Sequence, residues 1–295
     1  MAPISVVSNT LSTHCPICSS TDHQVVRAMC TMPSPLAVPG AILRCRDCGM
    51  WFKAISSLDS IKQAYDQEYS ENAALSPYMN STATHSFLRK MLKQVTYQTG
   101  STQPILLDIG CGTGTMLEEA QALGYTPEGI ELCRGLADIA HKKGFSVHHG
   151  NAMDLNETEK YDVVTAMDII EHIPSPLTLL RAVHQSLKPG GELVIYTPNH
   201  RGAVVILAKM LVRVGVDFAF RNIFGSNHVC FFDDCTLAAA LNSAGFKVRS
   251  MWKFPYDPRR PGMRMSLANL VIIRAVEELG RPFGAVFRMI AFARK

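Results

Sequence analysis

Apolar and polar positions alternate along this chain in distinct rhythms. From Pro104 onward, short apolar runs are separated by stretches with helical spacing. This alternation is typical of a parallel sheet whose strands are joined by right-handed helical crossovers. The predicted strands are 105–109, 127–131, 146–149, 161–167 and 191–197, with helices near 115–123, 134–143 and 176–187. We therefore expect an α/β fold.

Beyond residue 199 the pattern changes. Residues 203–220 form a largely apolar amphipathic insertion. The remaining predicted elements are a helix at 233–244, a strand at 246–252, a helix around 266–279 and a last strand near 286–293. Gly245 ends the first of these, because glycine readily adopts the left-handed conformation that closes a helix. Residues 1–55 lack helical spacing, whereas residues 61–98 show it.

Composition excludes a disordered or fibrous chain. The 295 residues are 47% hydrophobic and 18% charged, which is enough to bury a sizeable core. The first ten residues lack a basic segment followed by an apolar core, and no apolar run reaches the roughly eighteen residues that span a bilayer. We therefore expect a cytoplasmic protein whose nine cysteines stay reduced.

Four of the cysteines form two CxxC motifs, Cys15 with Cys18 and Cys45 with Cys48, separated by 26 residues. Two such turns complete a tetrahedral four-sulfur site that suits Zn²⁺. A zinc ion with four sulfur ligands is coordinatively closed, so its predicted role is structural. The other cysteines have no matching partners. Cys111 lies in a glycine-rich loop, and four are expected to be thiols in apolar surroundings: Cys30, Cys133, Cys230 and Cys235.

A glycine-rich loop follows the first strand of the alternating region. Residues 108–114 read Asp-Ile-Gly-Cys-Gly-Thr-Gly and open a predicted helix. Glycines at this place let a ligand approach the backbone closely, beside the amide groups of a helix N-terminus. Glu131 ends the next predicted strand, where a carboxylate can hold both hydroxyls of a ribose.

The loop resembles the first motif of class I S-adenosylmethionine-dependent methyltransferases rather than the dinucleotide-binding fingerprint. The further matches occur in the expected order: residues 129–131, residues 150–154, residues 161–164 with Glu171 and His172, and residues 187–191. The resemblance is tight over residues 104–200. It implies a Rossmann-like fold with a seven-stranded, mostly parallel sheet whose last strand inserts antiparallel.

The same resemblance implies which residues bind S-adenosylmethionine. Asp108 and Gly110 would neighbour its methionine portion, Glu131 its ribose, and Asn151 with Ala152 its adenine. The other expected contacts are Gly112, Leu132, Asp168 and Tyr69. Many relatives carry Asp at the position of Asn151. An amide both donates and accepts hydrogen bonds, so Asn151 can also form a hydrogen bond with adenine.

Asp168, Glu171 and His172 follow the fourth predicted strand, where the resemblance places the reactive methyl group. Residues i, i+3 and i+4 share one face of a helical turn, so the three side chains are expected to converge. His172 then takes a proton from the attacking hydroxyl or amine while Glu171 fixes its tautomer. Alternatively the three groups hold a divalent cation, as in the ubiquinone-pathway O-methyltransferases that this constellation resembles. A third interpretation is structural, because methyl transfer can proceed largely through positioning.

The segments expected to choose the substrate are a helical cap or linker at 56–103 and a lid insertion at about 200–230. Tyr69 and His228 are the predicted pocket residues. Residues 200–295 carry a net charge of +9, against −6 for residues 61–199, so an anionic substrate, free or linked to a carrier, is expected. The apolar insertion with basic flanks also permits transient contact with a membrane surface.

The sequence thus predicts an enzyme with a zinc ribbon over 1–55, the cap, and a methyltransferase domain over 104–295. The favoured reaction moves a methyl group from S-adenosylmethionine to a small metabolite, with oxygen preferred over nitrogen or carbon as the acceptor. Two alternatives share the cofactor: cyclisation or elimination of S-adenosylmethionine itself, and methylation of RNA recognised by the ribbon. The net charge of only +1 over residues 1–60 argues against nucleic acid as a partner.

Overall fold

The computed structural model describes residues 14–27, 40–55, 81–255 and 267–295. These residues form two β-sheets. The strands are β1 (His23–Arg27), β2 (Gly40–Cys45), β3 (Trp51–Ile55), β4 (Ile105–Ile109), β5 (Thr126–Glu131), β6 (Ser146–His149), β7 (Tyr161–Met167), β8 (Leu187–Pro198), β9 (Cys230–Phe231), β10 (Lys247–Phe254) and β11 (Arg288–Arg294).

The larger sheet has seven strands in the order β10-β11-β8-β7-β4-β5-β6. The five strands from β8 to β6 run parallel to one another. The last strand in the chain, β11, lies antiparallel to both of its neighbours, β8 and β10. This arrangement confirms the predicted seven-stranded, mostly parallel sheet with an antiparallel last strand.

Four predicted strands have the observed bounds to within one residue: 105–109, 127–131, 146–149 and 161–167. Strand β10 ends, and β11 begins, two residues after the predicted position. The exception in the centre of the sheet is β8, which begins four residues before the predicted 191–197. Leu187 pairs with Tyr161, and a register shift before Val163 accommodates the Pro-Gly-Gly turn that follows Leu187.

Helices cover both faces of the large sheet. They are α1 (Thr82–Leu92), α2 (Thr115–Ala122), α3 (Arg134–Lys142), α4 (Pro176–Ser186), α5 (Ala203–Leu211), α6 (Phe218–Phe224), α7 (Asp234–Ser243) and α8 (Leu267–Gly280). Alternate residues of a strand point to opposite faces. Accordingly, Leu106 packs with α1 and α2, whereas its neighbour Leu107 belongs to the core that α4 and α7 cover.

The smaller sheet joins the N-terminal segment to the rest of the protein. Strands β1, β2 and β3 form an antiparallel meander, and β9 from the predicted insertion adds a fourth strand beside β3. Trp51 pairs with Phe231, and Phe52 pairs with Cys230. The sequence did not predict this pairing, because a two-residue strand has no periodicity of its own.

Helices α5 and α6 pack on the smaller sheet. Phe220 and Phe224 of α6 form a buried cluster with Ile42 and Phe231. The ammonium of Lys209 on α5 lies 4.2 Å above the ring of Trp51. Part of the insertion predicted at 203–220 therefore packs against the smaller sheet.

Several predictions concern residues outside the described ranges. Tyr69 and residues 56–80 of the predicted cap lie there, and from Thr82 onward the same segment forms α1. Cys30 also lies outside the described ranges. The prediction of apolar surroundings is confirmed for the buried Cys230, but it is wrong for Cys235, which is exposed on α7 beside the guanidinium of Arg201. No helix within the described residues is long and apolar enough to cross a membrane.

Candidate active site

The glycine loop joins β4 to α2, and three of its residues have no side chain. Gly110, Gly112 and Gly114 have φ angles of 71°, 55° and 87°, a region where only glycine avoids steric strain. A Cβ atom on Gly110 would lie 2.1 Å from Cδ1 of Ile169, which follows β7. The N–H of Gly110 donates to the carbonyl of Ile130 at 2.8 Å, so the loop is fixed between β5 and β7.

Glu131 ends β5 and is bound to the glycine loop. Its Oε2 accepts a hydrogen bond from the N–H of Gly112 at 2.8 Å, and its Oε1 accepts one from the N–H of Cys133 at 2.8 Å. The side chain is buried. An ionised carboxylate accepts about four hydrogen bonds, so Glu131 can also accept hydrogen bonds from the hydroxyl groups of a ligand.

Asp108 lies in β4 immediately before the loop. Its Oδ1 accepts a hydrogen bond from the hydroxyl of Thr165 at 2.6 Å, and the residue is buried. Burial, reinforced by the negative charge of Glu131, raises the pKa of Asp108 to about 7. A cation placed beside this carboxyl would favour its ionised form.

The loops after β5 and β6 are hydrogen-bonded to each other. The N–H of Gly150 donates to the carbonyl of Glu131 at 3.0 Å, and a ring nitrogen of His149 lies 3.1 Å from the carbonyl oxygen of Leu132. Asn151 caps a short 3-10 helix, Ala152–Asp154, because its Oδ1 accepts from the N–H of Met153 at 3.0 Å. The predicted adenine-binding residues therefore belong to one connected edge of the sheet.

Asp168, Glu171 and His172 converge only in part. Asp168 has a φ of 54° and precedes a 3-10 helix, Ile170–His172, so the spacing rule for an α-helical turn does not apply. Its carboxylate pairs with the guanidinium of Arg288 on β11, which lies 5.1 Å above the ring of Tyr196. Asp168 thus faces β11.

Glu171 and His172 meet a third residue, His228. The two imidazole rings are 4.7 Å apart between centroids and stand edge to face at 79°. One potential ligand atom from each of the three residues lies within 4.8 Å of the others. The Oε2 of Glu171 accepts a hydrogen bond from the hydroxyl of Thr197 at 2.9 Å.

Burial controls the charges of this group. It raises the pKa of Glu171 to about 8, with a further contribution from the negative charge of Asp168. It lowers the pKa of His172 to about 4 and that of His228 well below the usual value for histidine. Both imidazoles are therefore neutral at pH 7, the form that accepts a proton or binds a metal ion.

The N-terminal sheet positions His228. Buried Lys53 on β3 donates from Nζ to the carbonyl of Ser226 at 2.6 Å and from its backbone N–H to the carbonyl of Val229 at 2.8 Å. The N–H of Val229 in turn donates to the carbonyl of Glu171 at 2.8 Å. Lys53 and Glu171 thus hold the loop that carries His228 from both sides.

The four predicted metal-binding cysteines come together at one end of the smaller sheet. The Sγ atoms of Cys15 and Cys48 are 3.4 Å apart, those of Cys18 and Cys45 are 3.5 Å apart, and all four lie within 4.8 Å of one another. Sulfur ligands about 2.3 Å from one zinc ion are separated by roughly 3.8 Å. The cluster has the donor chemistry and the dimensions of a four-sulfur zinc site.

Comparison with known proteins agrees with this geometry. The model of a methyltransferase domain family matches residues 79–251. The ubiquinone biosynthesis O-methyltransferase of Xanthomonas oryzae pv. oryzae (strain PXO99A) is 31% identical over 171 residues, which cover 55% of this chain and 70% of that protein.

Solved structures share the fold. An S-adenosylmethionine-dependent methyltransferase from Mesorhizobium loti aligns with a TM-score of 0.50 and 18% identity over 74% of this chain and 100% of its own. The [4+2]-cyclase SpnF aligns with a TM-score of 0.55 and 17% identity over 80% of this chain and 96% of its own.

The fold and the site define a class I S-adenosylmethionine-dependent methyltransferase. The chain belongs to the methyltransferase domain family whose model spans its residues 79–251. Its residues fit the cofactor of that class: the glycine loop leaves no room for side chains at Gly110, Glu131 presents acceptors for hydroxyls, and Asp108 is a buried acid beside the loop.

Sequence reasoning missed two residues of the site, Arg288 and Lys53. Arg288 lies in the last strand, far along the chain from Asp168, and Lys53 lies within a segment assigned to the zinc ribbon alone. The one available signal was charge, because both are basic residues within otherwise apolar strand patterns. A charged residue at such a position needs a partner when it is buried.

Proposed function

We propose that the protein transfers a methyl group from S-adenosylmethionine to an oxygen atom of a small anionic metabolite. The observation that carries this proposal is the buried Glu131 carboxylate, fixed by the N–H of Gly112 at the carboxyl edge of the parallel sheet. When bound there, the cofactor supplies an electrophilic methyl group. The name of the Xanthomonas relative, an O-methyltransferase, supports oxygen as the acceptor.

The residues of the carboxyl edge have separate roles in this proposal. Glu131 accepts hydrogen bonds from the ribose hydroxyls, and Asp108 ionises to face the positive charge of the cofactor. The side chain of Ile169 lies against Gly110 and borders the loop. These contacts orient the cofactor toward the end of β7, and orientation supplies a large part of the rate in methyl transfer.

The acceptor is proposed to bind beside Arg288, His172 and His228. Arg288 lies over the ring of Tyr196 and is paired with Asp168, so the attraction for an anion comes from the net charge of +9 over residues 200–295. His172 is a neutral imidazole at pH 7, the form that can accept a proton from the acceptor or bind a metal ion.

Product analysis tests the proposal. The purified protein is incubated with S-adenosylmethionine and a mixture of polar metabolites, and products are identified by mass spectrometry. We expect S-adenosylhomocysteine and an anionic acceptor that has gained one CH₂ unit. Methylthioadenosine would instead indicate the cyclase or lyase alternative, and salt-sensitive methylation of added RNA would indicate the nucleic-acid alternative.

The four-cysteine cluster is proposed to bind a structural Zn²⁺. Its support is the distance between the sulfur atoms and the position of both CxxC turns beside the small sheet. In this role the ion joins the two CxxC turns beside the sheet to which β9 is paired.

A surface of α5 and α8 is proposed to contact anionic lipid. Ile206, Leu207 and Met210 of α5 line one exposed apolar groove with Leu279 and Phe283, and the last two are 75% and 86% exposed. We call these five residues the apolar surface. The exposed basic residues Arg213 and Arg281 lie in the segments that follow α5 and α8. Apolar side chains beside basic ones are typical of reversible contact with membranes.

A further inference from the structure

The structure assigns to Glu171, His172 and His228 a binding site for a divalent transition-metal ion. The ligand set differs from the one that the family resemblance implied, Asp168 with Glu171 and His172. The inference deepens the proposed function. The role of the ion in methyl transfer rests on that function, whereas the binding of the ion by these three residues does not.

Asp168 does not fit the implied set. Its carboxylate pairs with the guanidinium of Arg288. Arg288 is only 8% exposed and lies on β11, far along the chain from Asp168. Release of that carboxylate to a metal ion would break a buried ion pair, which is energetically costly. Asp168 has a left-handed backbone and precedes the 3-10 helix that carries the other two residues, so the i, i+3, i+4 spacing of an α-helix does not apply to the three.

His228 takes the third position. Donor atoms of Glu171, His172 and His228 all lie within 4.8 Å of one another. Donors about 2.1 Å from one tetrahedral ion are separated by roughly 3.4 Å, so small side-chain rotations bring the three onto a common ion. The near-perpendicular rings, at 79°, allow each imidazole to direct a nitrogen at the same point without a clash between the rings.

An unsatisfied oxygen points to the same site. Oε1 of Glu171 is buried and has no hydrogen-bond partner among the described residues, although Oε2 of the same carboxyl is bonded to Thr197. A buried polar atom without a partner is rare in folded proteins and requires an explanation such as a bound ion. Thr197 would then orient the ligand, as second partners of metal-binding carboxylates commonly do.

His172 is oriented in a similar way. Its ring is hydrogen-bonded to the backbone of Asn227, next to His228 in the chain. A metal-binding histidine usually bonds through its other ring nitrogen to a carbonyl or carboxylate, which fixes the tautomer. The loop Ser226–Val229 is held by Lys53 and by Glu171 itself, so the ligands rest on a constrained backbone.

The donor set selects the kind of ion. Two imidazole nitrogens and one carboxylate oxygen suit Zn²⁺, Fe²⁺, Co²⁺ or Mn²⁺, whereas Mg²⁺ prefers oxygen ligands alone. Three protein ligands leave at least one coordination position open. An acceptor oxygen in that position would be held beside the cofactor and would lose its proton more readily.

Cobalt binding tests the inference without reference to turnover. The full chain is first loaded with a single equivalent of Zn²⁺, which the four sulfur ligands of the cysteine cluster take up, and Co²⁺ is then titrated while visible absorption and heat are recorded. We expect one further equivalent of Co²⁺ with nitrogen and oxygen ligation, which lacks the charge-transfer band of a cobalt thiolate. His228→Ala and His172→Ala should weaken that binding at least tenfold.

Two controls discriminate the ligand sets. Asp168→Asn should keep the affinity for Co²⁺, and so should His141→Ala, which removes an exposed histidine on α3. His228→Gln, of similar size and polarity, replaces His228→Ala if circular dichroism shows that the alanine variant is unfolded. The inference is overturned if the wild type binds no second metal ion, if both His228 variants bind it as tightly as the wild type, or if Asp168→Asn abolishes binding.

Binding of S-adenosylmethionine, measured calorimetrically on the same samples, separates this inference from the proposed function. A protein that binds the cofactor but no second metal ion retains the proposed function and loses the metal site. A protein that binds Co²⁺ as described but no cofactor retains the metal site and loses the proposed function.

Discussion

Glu131 and Asp108 illustrate what the sequence reveals at the scale of single residues. Both follow from local signals, a glycine loop and the end of the next strand, and the structure places them together. Asp168 shows the limit. The helical spacing rule predicted its convergence with His172, but an unusual backbone angle and a partner on a distant strand direct it to Arg288. Neither feature has a local sequence signature.

Glu131→Gln should weaken binding of S-adenosylmethionine by about 1.5–3 kcal/mol, or roughly tenfold or more. The amide replaces one acceptor oxygen with a donor, so either the N–H of Gly112 or that of Cys133 loses its partner. Calorimetric titration measures the change. Glu128→Gln on the same strand, whose carboxylate pairs with Lys160, is the matched control and should bind normally.

Binding of S-adenosylmethionine should also depend on pH through Asp108. With a pKa of about 7 in the free protein, this carboxyl is largely protonated at pH 6 and must release its proton to face the positively charged cofactor. The dissociation constant should therefore fall as pH rises toward 7, by up to about tenfold per pH unit, and then level off.

Asp108→Asn provides the comparison for that pH dependence. The variant has no titrating group at this position, so its dissociation constant should lack the component between pH 6 and 7. A wild type and a variant with parallel pH profiles would show that Asp108 does not face the charge of the cofactor.

At the scale of elements, the large sheet was predictable and the link between the two sheets was not. Strands β4 and β7 are largely apolar runs, and β5 and β6 lie between segments with helical spacing, so local pattern is sufficient. The pairing of β3 with β9 joins segments that lie far apart in the chain through only two residues of β9, Cys230 and Phe231. Consequently the sequence predicted His228 as a pocket residue but not the contacts of Lys53 and Glu171 that hold its loop in place.

Loss of the cysteine cluster should loosen the loop that carries His228. Cys45→Ser removes one sulfur ligand from the end of β2, and the effect should pass through β3 and Lys53 to the carbonyls of Ser226 and Val229. Hydrogen exchange measured by mass spectrometry should show protection of residues 226–231 falling at least tenfold, while β4 and β7 stay protected.

The matched variant for this measurement is Cys235→Ser, which changes an exposed thiol on α7. Its exchange pattern should equal that of the wild type. Unchanged protection of residues 226–231 in Cys45→Ser would show that the small sheet does not control the position of His228.

At the scale of the whole molecule, charge and apolar exposure are unevenly distributed. The net charge is −6 over residues 61–199 and +9 over residues 200–295, and the apolar surface lies in the basic part. The double substitution Leu279→Glu with Phe283→Glu should reduce sedimentation with anionic vesicles at low salt by several-fold. It places negative charge at the two most exposed residues of the apolar surface.

Val25→Glu is the control for vesicle binding, since Val25 is also an exposed apolar residue, 57% accessible, but lies on β1 outside the apolar surface. It should sediment as the wild type does. Equal sedimentation of all three proteins, or no sedimentation of the wild type at low salt, would contradict a lipid-binding role for the apolar surface.

Calorimetric titration of the wild type and Glu131→Gln with S-adenosylmethionine tests the claim that the carboxyl edge of the large sheet binds this cofactor through Glu131 for methyl transfer. We predict one S-adenosylmethionine per chain, displaced by S-adenosylhomocysteine, and binding at least tenfold weaker in the variant. A folded wild type that binds no S-adenosylmethionine, or a variant that binds it as tightly as the wild type, would contradict the claim.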